Sequence, residues 1–292
     1  PAPDNVKMIL NQDGTRVDHT AAATLLLQLF MSVVDGTIVN IALPVLTREF
    51  AVSSSDVIWV ITIYQLSITM LLLSLASLGE KTSYRRIFIT GVVVFTLASA
   101  FCGAARSLEM LVAGRAIQGM GSACIMAVNP ALVRLVYPRA LLGRGMAFNA
   151  MTVATATAIG PTLAGAILTI ASWHWLFLIN VPLGMISIYM AQKSLPPNPS
   201  GPKKGKFDKL GAVFNAIVFG LVFYAAGSFS RQDNLAPSLG LLVLGAVAAI
   251  FYIRRETSRP MPIFPLDLFH NVKFTLSIVT SICSFTAQID GE

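Results

Sequence analysis

Charge is scarce in this sequence, and so is cysteine. Of 292 residues only 12% are Asp, Glu, Lys or Arg while 55% are hydrophobic, with a mean hydropathy of +0.71. A soluble domain carries about 25% charged residues, so an ordinary water-soluble fold is excluded. The three cysteines, Cys102, Cys124 and Cys283, stand in apolar runs with no paired or metal-ligand spacing, which excludes a disulfide framework and a zinc site. They read as small core residues. Strand-like alternation is missing, which argues against a membrane barrel. There is no Gly-x4-Gly-Lys-Ser/Thr run and no catalytic constellation, so neither direct ATP-driven pumping nor enzyme activity is expected. The net charge of +7 comes from basic residues in short loops without interleaved aromatics, so nucleic acid is not an expected partner.

What is present is a series of long apolar runs. A spanning helix needs about 20 mainly apolar residues, and nine stretches qualify: 22–44, 57–78, 87–105, 108–130, 146–171, 175–192, 210–229, 236–253 and 274–289. The first is no removable signal peptide, because it contains Asp35 and follows a polar stretch with Asp4, Asp13 and Asp18. Between the sixth and seventh runs, PPNPSGPKKGKFD (Pro196 to Asp208) has the composition of a solvated linker. With the N-terminus in the cytoplasm, 17 of the 21 Lys and Arg residues fall on the cytoplasmic side. Arg48, Arg106 and Arg231 fall outside, and Arg115 alone falls within a span. This bias predicts a multi-pass protein of the plasma or inner membrane with a cytoplasmic N-terminus.

Two charges therefore stand where lipid would be. A carboxylate near mid-bilayer costs about 2.5 to 3.5 kcal/mol on insertion scales and is usually kept because it binds or moves something. In the first run Ser32, Gly36 and Asn40 recur at i, i+4 and i+8 with Asp35 beside them, a polar and small stripe predicted to face the bundle interior. Asp35 is either a carboxylate that alternates between protonated and ionised forms or a structural hydrogen-bonded one. Arg115, followed by Gln118, Gly119 and Gly121, cannot realistically deprotonate and needs an acid, carbonyls or water; Asp35 is the natural intramembrane partner. In the fifth run Ala156, Gly160 and Ala164 form a close-packing ridge, with Pro161 and Gly165 on the adjacent one favouring a bend. Glu80, Lys81, Arg85 and Arg86 make a short acidic-basic loop able to clamp and release helix ends. Trp173, His174 and Trp175 suit an interfacial aromatic belt. Met31, Tyr64, Met70, Met126 and Met151 offer polarizable walls for bulky cations, or simple packing.

In chain order, VDGTIVNIALP (Val34 to Pro44), LGEKTSYRR (Leu78 to Arg86), LVAGRAIQGMGSA (Leu111 to Ala123), AIGPTLAG (Ala158 to Gly165) and WHWLFLINVPLG (Trp173 to Gly184) resemble the major facilitator superfamily. The resemblance extends to its fourteen-span drug:proton antiporters, of the quaternary-ammonium and methyl-viologen exporter type, and covers about residues 22–288. It implies an all-α fold of two six-helix halves rocking around a midplane cavity. Residues 1–21 would then be a cytoplasmic tail, 22–192 the N-terminal half, 193–209 a linker, 210–253 two extra spans, 254–273 a cytoplasmic loop and 274–292 the first helix of an incomplete second half. The odd span count suggests a fragment of a longer transporter.

By the same resemblance Arg115 takes a role in proton coupling, and Gly160, Pro161 and Gly165 take one in bending and sealing between halves. The loop departs most from the family signature, since Ser83 stands where a glycine is usual. His174 replaces an arginine, and Asn180, Pro182 and Gly184 shape the start of the sixth helix. The function implied is proton-coupled export of amphipathic cations or multiple drugs, with the proton as coupling ion and no other cofactor. Asp35, Asn40, Arg115 and Gln118 would carry it. The expected partners are a lipophilic cation and membrane lipid. A lipid or metabolite exporter of the same fold, or an inactive fragment acting as a membrane scaffold, are the rival readings.

Overall fold

The structure is a computed structural model that describes residues 17–197, 208–230, 235–257, 275–277 and 279–280. It contains α1 (His19–Phe50), α2 (Ser54–Val57), α3 (Trp59–Lys81), α4 (Tyr84–Gly103) and α5 (Leu108–Val136). A 3-10 turn leads into α6 (Leu142–Ile170), followed by α7 (Trp175–Leu178), α8 (Asn180–Ser194), α9 (Lys209–Ser230) and α10 (Leu235–Thr257). No strand occurs among the described residues. Among the described residues, six segments are long and apolar enough to cross a membrane: α1, α2 with α3, α4, α5, the 3-10 turn with α6, and α7 with α8. Most of the predicted N-terminal tail, linker, cytoplasmic loop and ninth span, and Cys283, lie outside the described residues.

Capping side chains set where these helices begin. Asp18 starts α1 by accepting from the N–H groups of Thr20 and Ala21, both at 3.0 Å. Ser53, Ser83 and Ser107 do the same for α2, α4 and α5, accepting from Asp56 N at 3.2 Å, Arg86 N at 3.4 Å and Met110 N at 3.2 Å. Ser83 has φ −159° and ψ 123°, extended backbone open to any residue, so the α3–α4 turn has no need of a glycine there. α1 has 32 residues and continues through Pro44. At 1.5 Å per residue it reaches about 48 Å, beyond a hydrocarbon core of about 30 Å. It stops at Ala51, whose left-handed backbone (φ 51°, ψ 43°) returns its N–H to the carbonyls of Thr47 and Arg48.

Packing is organised around α5, which lies against α3 and α4 and touches α1. Small residues make this possible. A Cβ on Gly119 would stand 2.6 Å from the Tyr64 carbonyl oxygen, and one on Gly121 would stand 2.6 Å from Phe95 N, so backbone meets backbone at both contacts. α1 and α6 form a second close pair. The predicted ridge of Ala156, Gly160 and Ala164 is buried in α6, and a Cβ on Gly160 would meet Thr37 Oγ1 at 2.1 Å. Pro161 is exposed and α6 continues through it, whereas a Cβ on Gly165 would meet nothing within 4 Å.

Two apolar clusters fill the bundle. One takes Ala21 to Met31 from α1 and Ile125 to Val136 from α5; the other takes Val34 to Leu46 from α1, Leu108 and Leu111 from α5, and Phe177. Trp173 belongs to the second, stacked on His174 at 3.8 Å between ring centroids and edge-on to Phe50 at 5.6 Å. The predicted aromatic belt is thus split, since Trp173 is core and Trp175 is exposed. Burial in that core follows from Trp173 fitting the space between the end of α1 and α7.

The α9–α10 hairpin is pinned at its open end, where Arg255 donates through both terminal nitrogens to Asp208, each at 2.9 Å. Its first helix lies on α3. Asn215 Nδ2 donates to the Met70 carbonyl at 3.0 Å, and Tyr224 stacks on Trp59 with centroids 5.8 Å apart.

The two glycine environments give a paired expectation. Gly119→Ala forces α3 and α5 apart and lowers stability by about 1 to 3 kcal/mol, the usual cost of overpacking. Gly165→Ala enters open space on a helix and leaves stability unchanged or slightly higher. Thermal unfolding in detergent, followed by tryptophan fluorescence, separates the two; equal midpoints would refute the close approach at Gly119.

Candidate functional site

Asp35 and Arg115 are both buried, with 1% and 0% of their surface exposed. They stand on α1 and α5, 80 residues apart in sequence, and meet at 2.5 Å between Asp35 Oδ2 and Arg115 Nη1. The contact lies where the two apolar clusters adjoin, so neither charge is open to bulk solvent. Burying an ion pair costs several kcal/mol per ion unless geometry and further hydrogen bonds compensate. Here the compensation comes from four other helices or their ends.

Gln118, one turn along α5, accepts at Oε1 from Arg115 Nη1 (2.8 Å) and donates from Nε2 to Asp35 Oδ1 (2.8 Å) and Ser99 Oγ (2.8 Å). Its orientation is dictated, because a guanidinium can only donate and the carbonyl end must face it. Cys102 Sγ, 3.8 Å from the same Oε1, adds a weak donor from α4. Asn180, the first residue of α8, donates from Nδ2 to Asp35 Oδ1 at 2.7 Å. Arg115 Nε donates to the Val60 carbonyl of α3 at 3.2 Å. The guanidinium carbon lies 4.0 Å from the Tyr64 ring centroid and 5.7 Å from that of Phe177, so its faces are covered by aromatic rings. Tyr64 is held in turn by its hydroxyl, which donates to the Ser32 carbonyl at 2.9 Å and lies 3.0 Å from Ser122 Oγ.

Among the described residues, every hydrogen-bond partner of Asp35 is an N–H donor, from Arg115, Gln118 and Asn180. Such a set fits a carboxylate and not a carboxylic acid, which must itself donate from one oxygen. Adding a proton at Oδ2 removes the acceptor that Arg115 uses and leaves a buried cation without its counter-ion. The chemistry available is therefore a linkage between the protonation of one side chain and the position of another. Among the described residues no three His, Cys, Asp or Glu side chains converge as metal ligands.

Asp35, Arg115 and Gln118 are brought together, and Asn40 is not. Five residues on from Asp35, Asn40 lies about 140° around the helix and is exposed. The i, i+4, i+8 stripe predicted it to face inward, but the buried face of α1 runs through Ser32, Asp35, Ile38, Val39 and Ala42 instead. Glu80 and Lys81 end α3, Arg85 and Arg86 begin α4, and Arg85 Nη2 donates to the Gln192 carbonyl on α8. That bond ties two helices of the same bundle. Tyr64, expected as a wall for cations, is instead fully committed to the ion pair. The sequence does not single out Ser99, and it reads Asn180 only as shaping the start of the sixth helix. The available signal for Asn180 was a buried-type asparagine opening an apolar run.

An uncompensated charge should be costly here. Arg115→Met leaves the Asp35 carboxylate without its cation and is expected to lower stability by about 3 to 5 kcal/mol. Adding Asp35→Asn should recover part of that, so that the double variant loses less than the sum of the singles by about 0.5 to 3 kcal/mol. Denaturation of the four proteins in one detergent measures the coupling, and strict additivity would rule it out.

The geometry accords with what the chain is similar to. Residues 25–289 match the family model described as Major Facilitator Superfamily. The chain is 48% identical over 271 residues to "Uncharacterized transporter YebQ" of Escherichia coli (strain K12), covering 93% of this chain and 59% of that protein. It is 34% identical over 254 residues to "Putative multidrug resistance protein MdtD" of Escherichia coli strain UMN026, covering 86% of this chain and 53% of that one. Among solved structures it is similar to a bacterial homologue of the human lysosomal transporter Spinster, in inward-facing occupied form. That likeness has a TM-score of 0.51 and 16% identity over 77% of this chain and 57% of the other, and it bears on fold alone. The chain thus spans somewhat more than half the length of the relatives it matches. With a family model covering nine-tenths of its residues and a relative at 48% identity, this all-helical, multi-pass membrane chain belongs to the major facilitator superfamily.

Proposed function

We propose that the chain forms the proton-responsive part of a secondary antiporter that exports lipophilic cations in exchange for protons. The observation that carries this reading is the enclosed Asp35–Arg115 pair, whose geometry suits only the ionised carboxylate. Antiport requires proton and substrate to favour different states of one element. Arg115 is that element here, since its partner is present or lost with the proton on Asp35. Because Asp35 is shut off from bulk solvent, the proton acts through Arg115 and not by direct contact between Asp35 and the cation.

Two further features support a cationic substrate. A cleft of about 530 Å³ where α3 meets the start of α5 bears Asp56 and Glu109 beside Trp59, Ile63 and Val112, carboxylates next to an aromatic and apolar wall. The relative MdtD is named for multidrug resistance. In the proposed arrangement residues 22–192 supply one half of a fourteen-span transporter of the inner membrane, with the N-terminus cytoplasmic. Residues 210–253 add two spans outside that half, and the exchange cycle needs a second half besides these 292 residues. Bending and sealing are assigned to Gly160 and Pro161 on α6, whose packing against α1 places them beside the helix that bears Asp35.

The test is efflux of a fluorescent lipophilic cation from vesicles under an imposed pH gradient. Three proteins are compared: the 292-residue chain, a chimera completed with the remaining C-terminal part of YebQ, and the chimera with Asp35→Asn. The chimera is expected to export, and Asp35→Asn to reduce pH-driven efflux to background while cation binding persists. Undiminished efflux by Asp35→Asn would sink the coupling role. A chimera that moves lipids or metabolites and no cations would replace the substrate class.

A further inference from the structure

On one side of Asp35, α1 and α8 share a seam of buried polar groups, several of them without a hydrogen-bond partner among the described residues. Two contacts set its ends. Thr24 Oγ1 lies 3.5 Å from Ser194 Oγ, and Asn180 Nδ2 donates to Asp35 Oδ1 at 2.7 Å. The helices are therefore antiparallel, residues 24 to 35 of α1 running alongside 194 to 180 of α8. On α1, Thr24, Gln28, Ser32 and Asp35 follow at intervals of four, four and three residues, and on α8, Asn180, Ser187 and Ser194 follow at intervals of seven, so each set lies on one helix face. The register puts Ser187 at the level between Gln28 and Ser32.

Gln28, Ser32 and Ser187 are 0%, 2% and 0% exposed. Among the described residues, neither the Nε2 nor the Oε1 of Gln28, nor the hydroxyls of Ser32 and Ser187, has a hydrogen-bond partner. Buried side-chain polar atoms are bonded in the large majority of cases, to protein or to ordered water. A buried water needs two to four polar partners, and a carboxamide with both ends open beside two hydroxyls supplies them. Beyond Asp35 the same face of α1 turns apolar, with Ile38, Val39, Ala42 and Leu46 each at 1% exposure or less. Along this buried face of α1, polar groups lead up to the carboxylate from one direction only.

We infer that this seam holds a short file of internal water that connects Asp35 with the Thr24–Ser194 end of the bundle, and that Gln28 positions it. Resting on the antiport reading, the inference makes the seam the route by which protons reach and leave Asp35 from the side that carries the N-terminus. Gln28 is a positioning residue: it exchanges no proton with solvent and orients the waters that do.

Hydroxyl-radical footprinting of the 292-residue chain in lipid nanodiscs tests the water directly. Met31, 2% exposed and adjacent to Ser32, is the reporter, because radicals formed from neighbouring internal water oxidise it in the absence of bulk access. Wild-type Met31 is expected to be oxidised, Gln28→Leu to reduce that roughly fivefold by filling the seam, and Gln28→Asn to retain it. Circular dichroism and thermal unfolding verify that the variants are folded. Oxidation equal in wild type and Gln28→Leu, or none in wild type, overturns the water file. The route is read separately, as proton release when tetraphenylphosphonium is added to the completed chimera. Gln28→Leu should slow the release without changing its amount; release at the wild-type rate overturns the route. Labelling that depends on Gln28 without any proton release in wild type would leave the seam standing and remove the antiport reading.

Discussion

A carboxylate and a guanidinium enclosed among helices have no bulk solvent to compensate them, and the arrangement of the bundle answers to that constraint. α1 contributes Asp35, α5 contributes Arg115 and Gln118, α4 contributes Ser99 and Cys102, α8 contributes Asn180, and α3 contributes Tyr64 and a backbone carbonyl. Each helix must stand at the correct distance for its group to reach. The glycines of α5 set two of those distances, one of them against the very residue, Tyr64, whose ring covers Arg115. Apolar packing and polar satisfaction are thus not separate layers here. The close approach that dispersion favours is also what brings the donors within range.

How much of this could be read from the chain depended on whether the signal was local. Long apolar runs and the two charges inside them are local features, and the helices and the isolation of Asp35 and Arg115 follow from composition alone. Their meeting is not local. It rests on α1 and α5 packing at one level, which no spacing in either segment states. Asn40 shows the limit of stripe logic: a face drawn through Ser32 and Gly36 drifts by about 40° per four residues, and the helix neighbours decide which edge of the stripe is inside. Asn180 reads as shaping a helix start because a polar residue there ordinarily serves the backbone, whereas this one reaches across to another helix. Trp173 followed the general preference of tryptophan for interfaces until a specific cavity between Phe50 and Phe177 claimed it. Gly160 and Gly165 look alike in sequence, and only the presence of Thr37 opposite one of them separates their roles.

The loop after α3 illustrates a different kind of substitution. With Ser83 in extended backbone and acting as a cap, the turn achieves by hydrogen bonding what the family pattern achieves with glycine. Arg85 then reaches the carbonyl of Gln192, so the basic residues of this loop serve cohesion between α4 and α8 as well as anchoring at the membrane surface. The α9–α10 hairpin follows a comparable economy, held at its base by one bidentate pair and docked on α3 by one amide and one aromatic stack.

Each hydrogen-bond partner of Asp35 is borne by the same cluster of helices. Any rotation or translation of that cluster as one body leaves every distance in the site unaltered, whatever it does to surfaces elsewhere. The ion pair is invariant to such motion and for the same reason blind to it. A link between this carboxylate and a larger movement has to pass through an internal deformation, a rotamer change at Arg115 or a slip between α1, α5 and α8. The smallest such deformation that separates Nη1 from Oδ2 sets the mechanical scale on which the site works.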